Sequence, residues 1–163
     1  MRMLWLYLLL LMPLSAGAFC FKEAGQRYKV DPLLLQAIGI QESGLRQGAT
    51  NKNRDRQGNV ISTDYGVMQI NTINANRLVK MGLINQPDDL LKNACFNVQA
   101  GAWVLAQHLR VCGNTWRCLG SYNAGFKLSA GQEAKRLRYA QRVRVLYDRL
   151  KTQSPPPANL AIR

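Results

Sequence analysis

Between residue 19 and about residue 150, several stretches set apolar positions on one helical face, the arrangement of helices packed on a core, and none shows a convincing strand alternation apart from a weak case at "GNVIST". In "FKEAGQRYKV", Phe21, Ala24, Gly25 and Tyr28 share one helical face. A second helix is marked at both ends in "DPLLLQAIGIQESG": Asp31 suits the N-cap, Pro32 the first helical position and Gly44 the C-terminal cap. From Leu45 to Asp64 the periodicity disappears into a polar stretch rich in Asn, Arg and Gly, which reads as a long irregular loop or a small hairpin; "GNVIST" is its only weak strand signal. "NTINANRLVKMG" predicts a helix closing on glycine. "NACFNVQAGAWVLAQHLRVCG" predicts a longer one with Val98, Ala102, Leu105 and Leu109 on a single stripe. A last helix runs from about Glu133 to Leu150. Its core face carries Ala140, Val143, Tyr147 and Leu150, and Arg136, Arg138, Arg142, Arg144 and Arg149 cover much of the rest. The expected fold class is mainly α.

The two ends read differently. "MRMLWLYLLLLMPLSAGA" combines Arg2, an apolar run and small residues at Ala16 and Ala18, so residues 1–18 are expected to be a secretory signal peptide. The run is short for a bilayer-spanning helix, and bulky Phe19 stands where a lipid-attachment signal would place a small residue ahead of Cys20. Residues 19–151 are enough for one domain with a substantial core, and 152–163, ending "SPPPANLAIR", are expected to be a disordered proline-rich tail. The four cysteines, Cys20, Cys95, Cys112 and Cys118, all lie beyond the leader, which favours two disulfides in an exported chain. Three connectivities are open. We expect Cys112 with Cys118, closing a short loop, and Cys20 with Cys95, tying down the N-terminus.

Net charge narrows the partners. The chain carries +13 at pH 7, and +12 without Arg2, so a polyanion is the natural counterpart. An exported, disulfide-bonded chain without a nucleic-acid motif points to the cell wall or an anionic membrane surface, not to nucleic acid. With one histidine, His108, read as an ordinary helix residue, and no C-x-x-C pair, no metal is expected. A phosphate-binding glycine loop and a G-x-S-x-G elbow are also absent, and no cofactor is expected.

One carboxylate stands out. Leu35, Ile38 and Glu42 follow the i, i+3, i+7 spacing, which places Glu42 on the core-facing side of its helix. Burial and the negative end of the helix dipole both disfavour its ionised form, as a general acid near neutral pH requires. The alternative is an ordinary glutamate paired with one of the many Arg or Lys side chains.

Three further motifs follow "ES" at Glu42 and Ser43: "GVMQI" (66–70), "SYNAG" (121–125) and "YAQRV" (139–143). In this order and at these separations the set resembles the lytic transglycosylases of the soluble-lytic, goose-lysozyme-like group, over about residues 20 to 150. The size, the leader and the form "DYGVMQIN" look most like the specialised members that accompany secretion, conjugation or pilus machines. Two positions depart from the group. Asn71 stands after Ile70 where many relatives have an apolar residue and then proline, and Ser121 replaces a commoner alanine.

The resemblance implies a lysozyme-like helical domain with a glycan-binding cleft, a single catalytic glutamate at Glu42, and peptidoglycan glycan strands as substrate. It also implies a periplasmic, wall-associated monomer, and components of an envelope machine as protein partners. Gln69 and Asn123 carry amides suited to sugar hydroxyls and acetamido groups, and Tyr122 and Tyr139 offer flat faces with polar tips. Met68 is expected at the floor of a subsite, and Ser43 beside the glutamate or holding the helix end. Asp64 reads as an aspartate satisfying backbone donors ahead of the Gly66 turn; as a second cleft carboxylate it would permit hydrolysis by water. The rival functions are a muramidase on the same fold and a wall-binding assembly scaffold.

Overall fold

A computed structural model describes residues 19–153; the leader expected over 1–18 and residues 154–163 of the expected tail lie outside the described residues. The elements are α1 (Phe21–Tyr28), α2 (Pro32–Ser43), β1 (Thr50–Arg54), β2 (Val60–Tyr65), β3 (Ile70–Asn71), α3 (Thr72–Lys80), a 3-10 turn (Pro87–Leu91), α4 (Ala94–Cys112), α5 (Trp116–Leu119), α6 (Ser121–Ala124) and α7 (Ala130–Gln153). The polar stretch after α2 is thus a hairpin. β1 and β2 pair antiparallel with Asn51 opposite Asp64, and the two-residue β3 extends the sheet in the order β1-β2-β3.

α2 is apolar on nearly every side because it lies inside the bundle, packed on α1, α4 and α7. Its ends form as the residues dictate. The Leu33 amide donates to the Asp31 carboxylate at 2.8 Å, and Gly44, at φ 62°, turns its N–H back to the carbonyls of Gly39 and Ile40. Leu35, Ala37 and Ile38 are fully buried with Val98, Ala102 and Leu105 of α4 and Val143 of α7 in one core. Disulfides join Cys20 to Cys95 and Cys112 to Cys118, so the expected pairing is the observed one.

A tight turn, residues 65–69, hangs between the sheet and the bundle. Asn97, wholly buried on α4, accepts from the Met68 amide at 2.7 Å and donates to the carbonyls of Tyr65 (2.9 Å) and Leu90 (3.1 Å). Gly66 has φ 76°, and a methyl group there would drive into the Asn97 amide. Gly101 likewise admits Met68: a Cβ would come within 2.6 Å of its Cγ.

Three features differ from expectation. α7 begins at Ala130 and runs to Gln153, beyond the expected span at both ends. Arg136, expected on the outer face, is 5% exposed; it pairs with Glu133 at 2.7 Å and donates to the carbonyls of Gly125 (2.9 Å) and Lys127 (3.2 Å). A charge can be buried there because the loop after α6 turns its carbonyls inward. Finally, α5 and α6 were not foreseen, being too short to show a period. The Ser121 hydroxyl donates to the Cys118 carbonyl at 2.6 Å, which leaves His108 Nδ1 as the donor in their 2.8 Å contact.

Asn97→Ala strips three buried backbone groups of their partner and should cost on the order of 3 kcal/mol. Gly66→Ala should cost a similar amount, about 3 kcal/mol, through strain and collision. Gly82→Ala has a positive φ of 69° but open space around it, so it should cost only about 1 kcal/mol. Urea denaturation of the three variants checks the order.

Candidate active site

Glu42 is in the last turn of α2, where the bundle meets the hairpin, and its carboxylate is half-buried. Tyr139, 1% exposed on α7, donates its hydroxyl to Glu42 Oε1 at 2.5 Å. Among the described residues Glu42 makes no ion pair, so the alternative of an ordinary paired glutamate does not describe it. Burial is the main influence and pushes its pKa up to about 7; the Asp64 charge acts in the same direction. The Tyr139 hydrogen bond and the Arg142 guanidinium pull it partly back. Glu42 is therefore divided between acid and carboxylate near neutral pH, the condition for giving and then taking a proton.

It opens onto a polar cleft of about 580 Å³ whose lining includes Arg46, Asn51, Asn53, Asp64, Gln69, Asn71 and Asn123. Asp64 is positioned by the strand beside it: Asn53 and Asn51 donate their amides to its Oδ2 at 2.9 and 3.2 Å. Those side-chain donors, not backbone groups ahead of Gly66, satisfy it. Gln69 spends its amide N–H groups on the carbonyls of Gly66 (2.9 Å) and Ala49 (3.2 Å), and so holds the turn against the sheet while lining the cleft. Asn71 caps α3, accepting from the Asn74 amide at 2.9 Å. An asparagine at that position thus has a local structural reason.

The remaining expected residues stand behind the cleft wall. Ser43 is 6% exposed; its hydroxyl donates to the Val67 carbonyl at 2.8 Å and accepts from the Arg46 amide, fastening the end of α2 to the turn. Tyr122 donates to the Met68 carbonyl at 2.8 Å. Met68 itself is 0% exposed against Gly101, which places it in the core and not at the floor of a subsite. Glu42, Gln69, Asn123 and, through Glu42, Tyr139 are brought together at the cleft; Ser43, Met68 and Tyr122 support it.

Residues 19–144 match the Transglycosylase SLT domain. The chain belongs to the SLT transglycosylase family. It is 44% identical over 135 residues to a "Peptidoglycan-binding-like protein" of Escherichia coli O157:H7, covering 83% of this chain and 80% of that one. It is 37% identical to "Invasion protein IagB" of Salmonella typhimurium (strain SL1344), over 89% and 85% of the two chains. Against "Protein IpgF" of Shigella flexneri the identity is 35%, over 90% and 91%. The SLT domain makes this protein a lytic transglycosylase acting on peptidoglycan, with a lysozyme-like, mainly α fold.

Sequence reasoning missed several parts of the candidate site. Asn51 and Asn53 alternate on β1 with period two, a signal that was present but masked by the polar stretch around it. Asn97 shares an apolar face with Ala94 and Gly101, spaced i, i+3, i+7; an amide there announces a buried hydrogen-bonding task.

The raised pKa carries a stability consequence. A carboxyl at 4.5 unfolded and about 7 folded favours the native state below pH 4.5 and loses that contribution as pH rises through 7. Glu42→Gln, which keeps an acceptor for Tyr139, should therefore be more stable than wild type at pH 8 by up to about 3 kcal/mol, with the difference vanishing near pH 4. Thermal denaturation across that pH range measures it. Tyr139→Phe removes a group that lowers the pKa. Its activity should fall on the order of tenfold, and the alkaline limb of its kcat/KM profile should move to higher pH, away from about 7.

Proposed function

We propose that this transglycosylase cleaves the β-1,4 bond between N-acetylmuramic acid and N-acetylglucosamine without water. Glu42 first protonates the glycosidic oxygen. As a carboxylate it then removes the proton from the muramic acid 6-hydroxyl, which attacks the anomeric carbon of its own ring and closes a 1,6-anhydro sugar. The observation that supports this reading is the half-buried Glu42 carboxyl, its pKa pushed up to about 7, facing the cleft and bonded to Tyr139. One group can serve both steps because the nucleophile is already part of the substrate. Gln69 and Asn123 contact the sugars from the cleft wall; Ser43, Met68, Tyr122 and Tyr139 hold that wall and the acid in place.

The leader, the motif form and the relatives support a location and a purpose for the enzyme. The leader in the sequence supports export to the periplasm, and among the described residues no helix is long and apolar enough to cross a membrane. We assign the enzyme the task of opening local gaps in the wall for a secretion, conjugation or pilus machine. The motif form supports this, as do relatives named as invasion proteins. Asp64 lies in the same cleft as Glu42, so a second reading is hydrolysis, with Asp64 directing a water.

Mass spectrometry of muropeptides released from purified sacculi separates these readings. Anhydro ends from wild type and none from Glu42→Gln are expected. Reducing ends would replace the proposal with the muramidase, and no release would favour the scaffold. Sacculus binding should also weaken severalfold as salt rises from low to above physiological concentration, because the chain carries +13 and the opposing charges are screened. Pull-down at graded ionic strength measures it.

A further inference from the structure

At the other end of α2 lies a second concavity, larger than the catalytic cleft. Asp31 and Glu42 are eleven residues apart, about 16 Å of helix at ~1.5 Å per residue. The groove near Asp31 has a volume of about 680 Å³ and is formed where the ends of α1, α4 and α7 meet α5. Its apolar lining comes from Leu34, Leu109, Trp116 and Tyr147, with the two aromatic rings edge to face at 5.8 Å. Arg27, Lys29 and Arg110 stand on its rim, exposed or half-exposed, and make no ion pair among the described residues. Two more cations lie over the rings: Arg144, which also pairs with the exposed Asp148 at 3.9 Å, is 5.6 Å from the Trp116 centroid, and Lys151 is 5.3 Å from that of Tyr147. Asp31, the acid in the lining, is already engaged by the Leu33 amide and the Tyr147 hydroxyl.

We propose that this groove docks an acidic peptide segment of a partner protein, one that places an apolar or aromatic side chain on Trp116 and Tyr147 between its carboxylates. The cationic rim supplies the complementarity, and the apolar lining supplies the anchor that a bare polyanion could not use. A second copy, at +12 without the leader, repels the first, and residues 154–163 contain no acidic residue to meet the rim. Because the groove and the cleft sit at opposite ends of α2, a bound partner leaves Glu42 open to glycan. The enzyme could then be held at a chosen place while it cuts. The inference does not depend on which product the cleft makes.

The test follows amide chemical shifts of the isotope-labelled protein on titration with a short synthetic peptide alternating Glu with Leu and Phe. Two control peptides replace the Leu and Phe by Ala, or the Glu by Lys. The expected result is shifts around Trp116 and Tyr147, weaker binding of both controls, and a loss of about tenfold or more in Arg27→Glu/Arg110→Glu. That variant's cleavage of soluble glycan oligomers should be unchanged. Equal binding of the Ala peptide would overturn the proposal in favour of a general polyanion surface. Shifts confined to the Glu42 cleft, or affinity indifferent to the charge reversals, would also overturn it. Phosphatidylglycerol vesicles that perturb the same amides more strongly than the peptide would assign the groove to a membrane instead.

Discussion

The architecture of the site depends on one buried amide. Asn97 holds the turn between β2 and β3 by accepting from Met68 and donating to Tyr65 and Leu90, and side chains from three sides of the cleft are fastened to that turn. Ser43 ties it to the helix carrying the acid, Tyr122 ties it to α6, and Gln69 ties it to the start of the hairpin. A network of this kind in a dry interior is strong when complete and costly when any member is missing. Gly66 is part of the same constraint, because only a residue without a Cβ lets the chain pass that close to Asn97.

Against this rigid frame, Glu42 is held in a state that folding alone would not select. Burial raises its pKa to about 7, and Tyr139 and Arg142 offset only part of that effect. A solvated glutamate near pH 7 would be ionised almost entirely and could not donate a proton; a fully desolvated one would seldom become a base. The half-buried position at the end of α2, with one hydroxyl donor at 2.5 Å, lies between these limits. The surrounding core, built from Leu35, Ile38, Val98, Leu105 and Val143, supplies the stability that the acid withdraws.

α2 and α7 each serve two faces. Tyr139 supports the acid at one level of α7, and Tyr147, eight residues on, lines the opposite groove and bonds Asp31 at the start of α2. The cationic character of α7 is also divided. Arg136 is buried to fasten the loop after α6, Arg142 tempers the acid, and Arg144 lies over Trp116. A count of arginines on a helical wheel treats these as one solvated stripe, but their neighbours give them different tasks.

Local rules were enough for the existence of the longer helices, because an N-cap aspartate, a first-turn proline and a terminal glycine act within a few residues and apolar spacing reports a buried face, but not for α5 and α6, which are too short to show a period. They were also enough to single out Glu42, since a carboxylate in phase with Leu35 and Ile38 is visible without coordinates. Which face Arg136 takes, that Met68 lies in the core, and that Asp64 answers to Asn51 and Asn53 across a hairpin were decided only by packing. The reason is physical: partners 11 to 97 residues apart, as in Asn53 with Asp64 or Tyr139 with Glu42, leave no periodic trace in the chain. The sequence by itself determined that a carboxylate, Glu42, stands in phase with the core face of α2; its raised pKa and its partners exist only once α2, α7 and the turn held by Asn97 have closed around it.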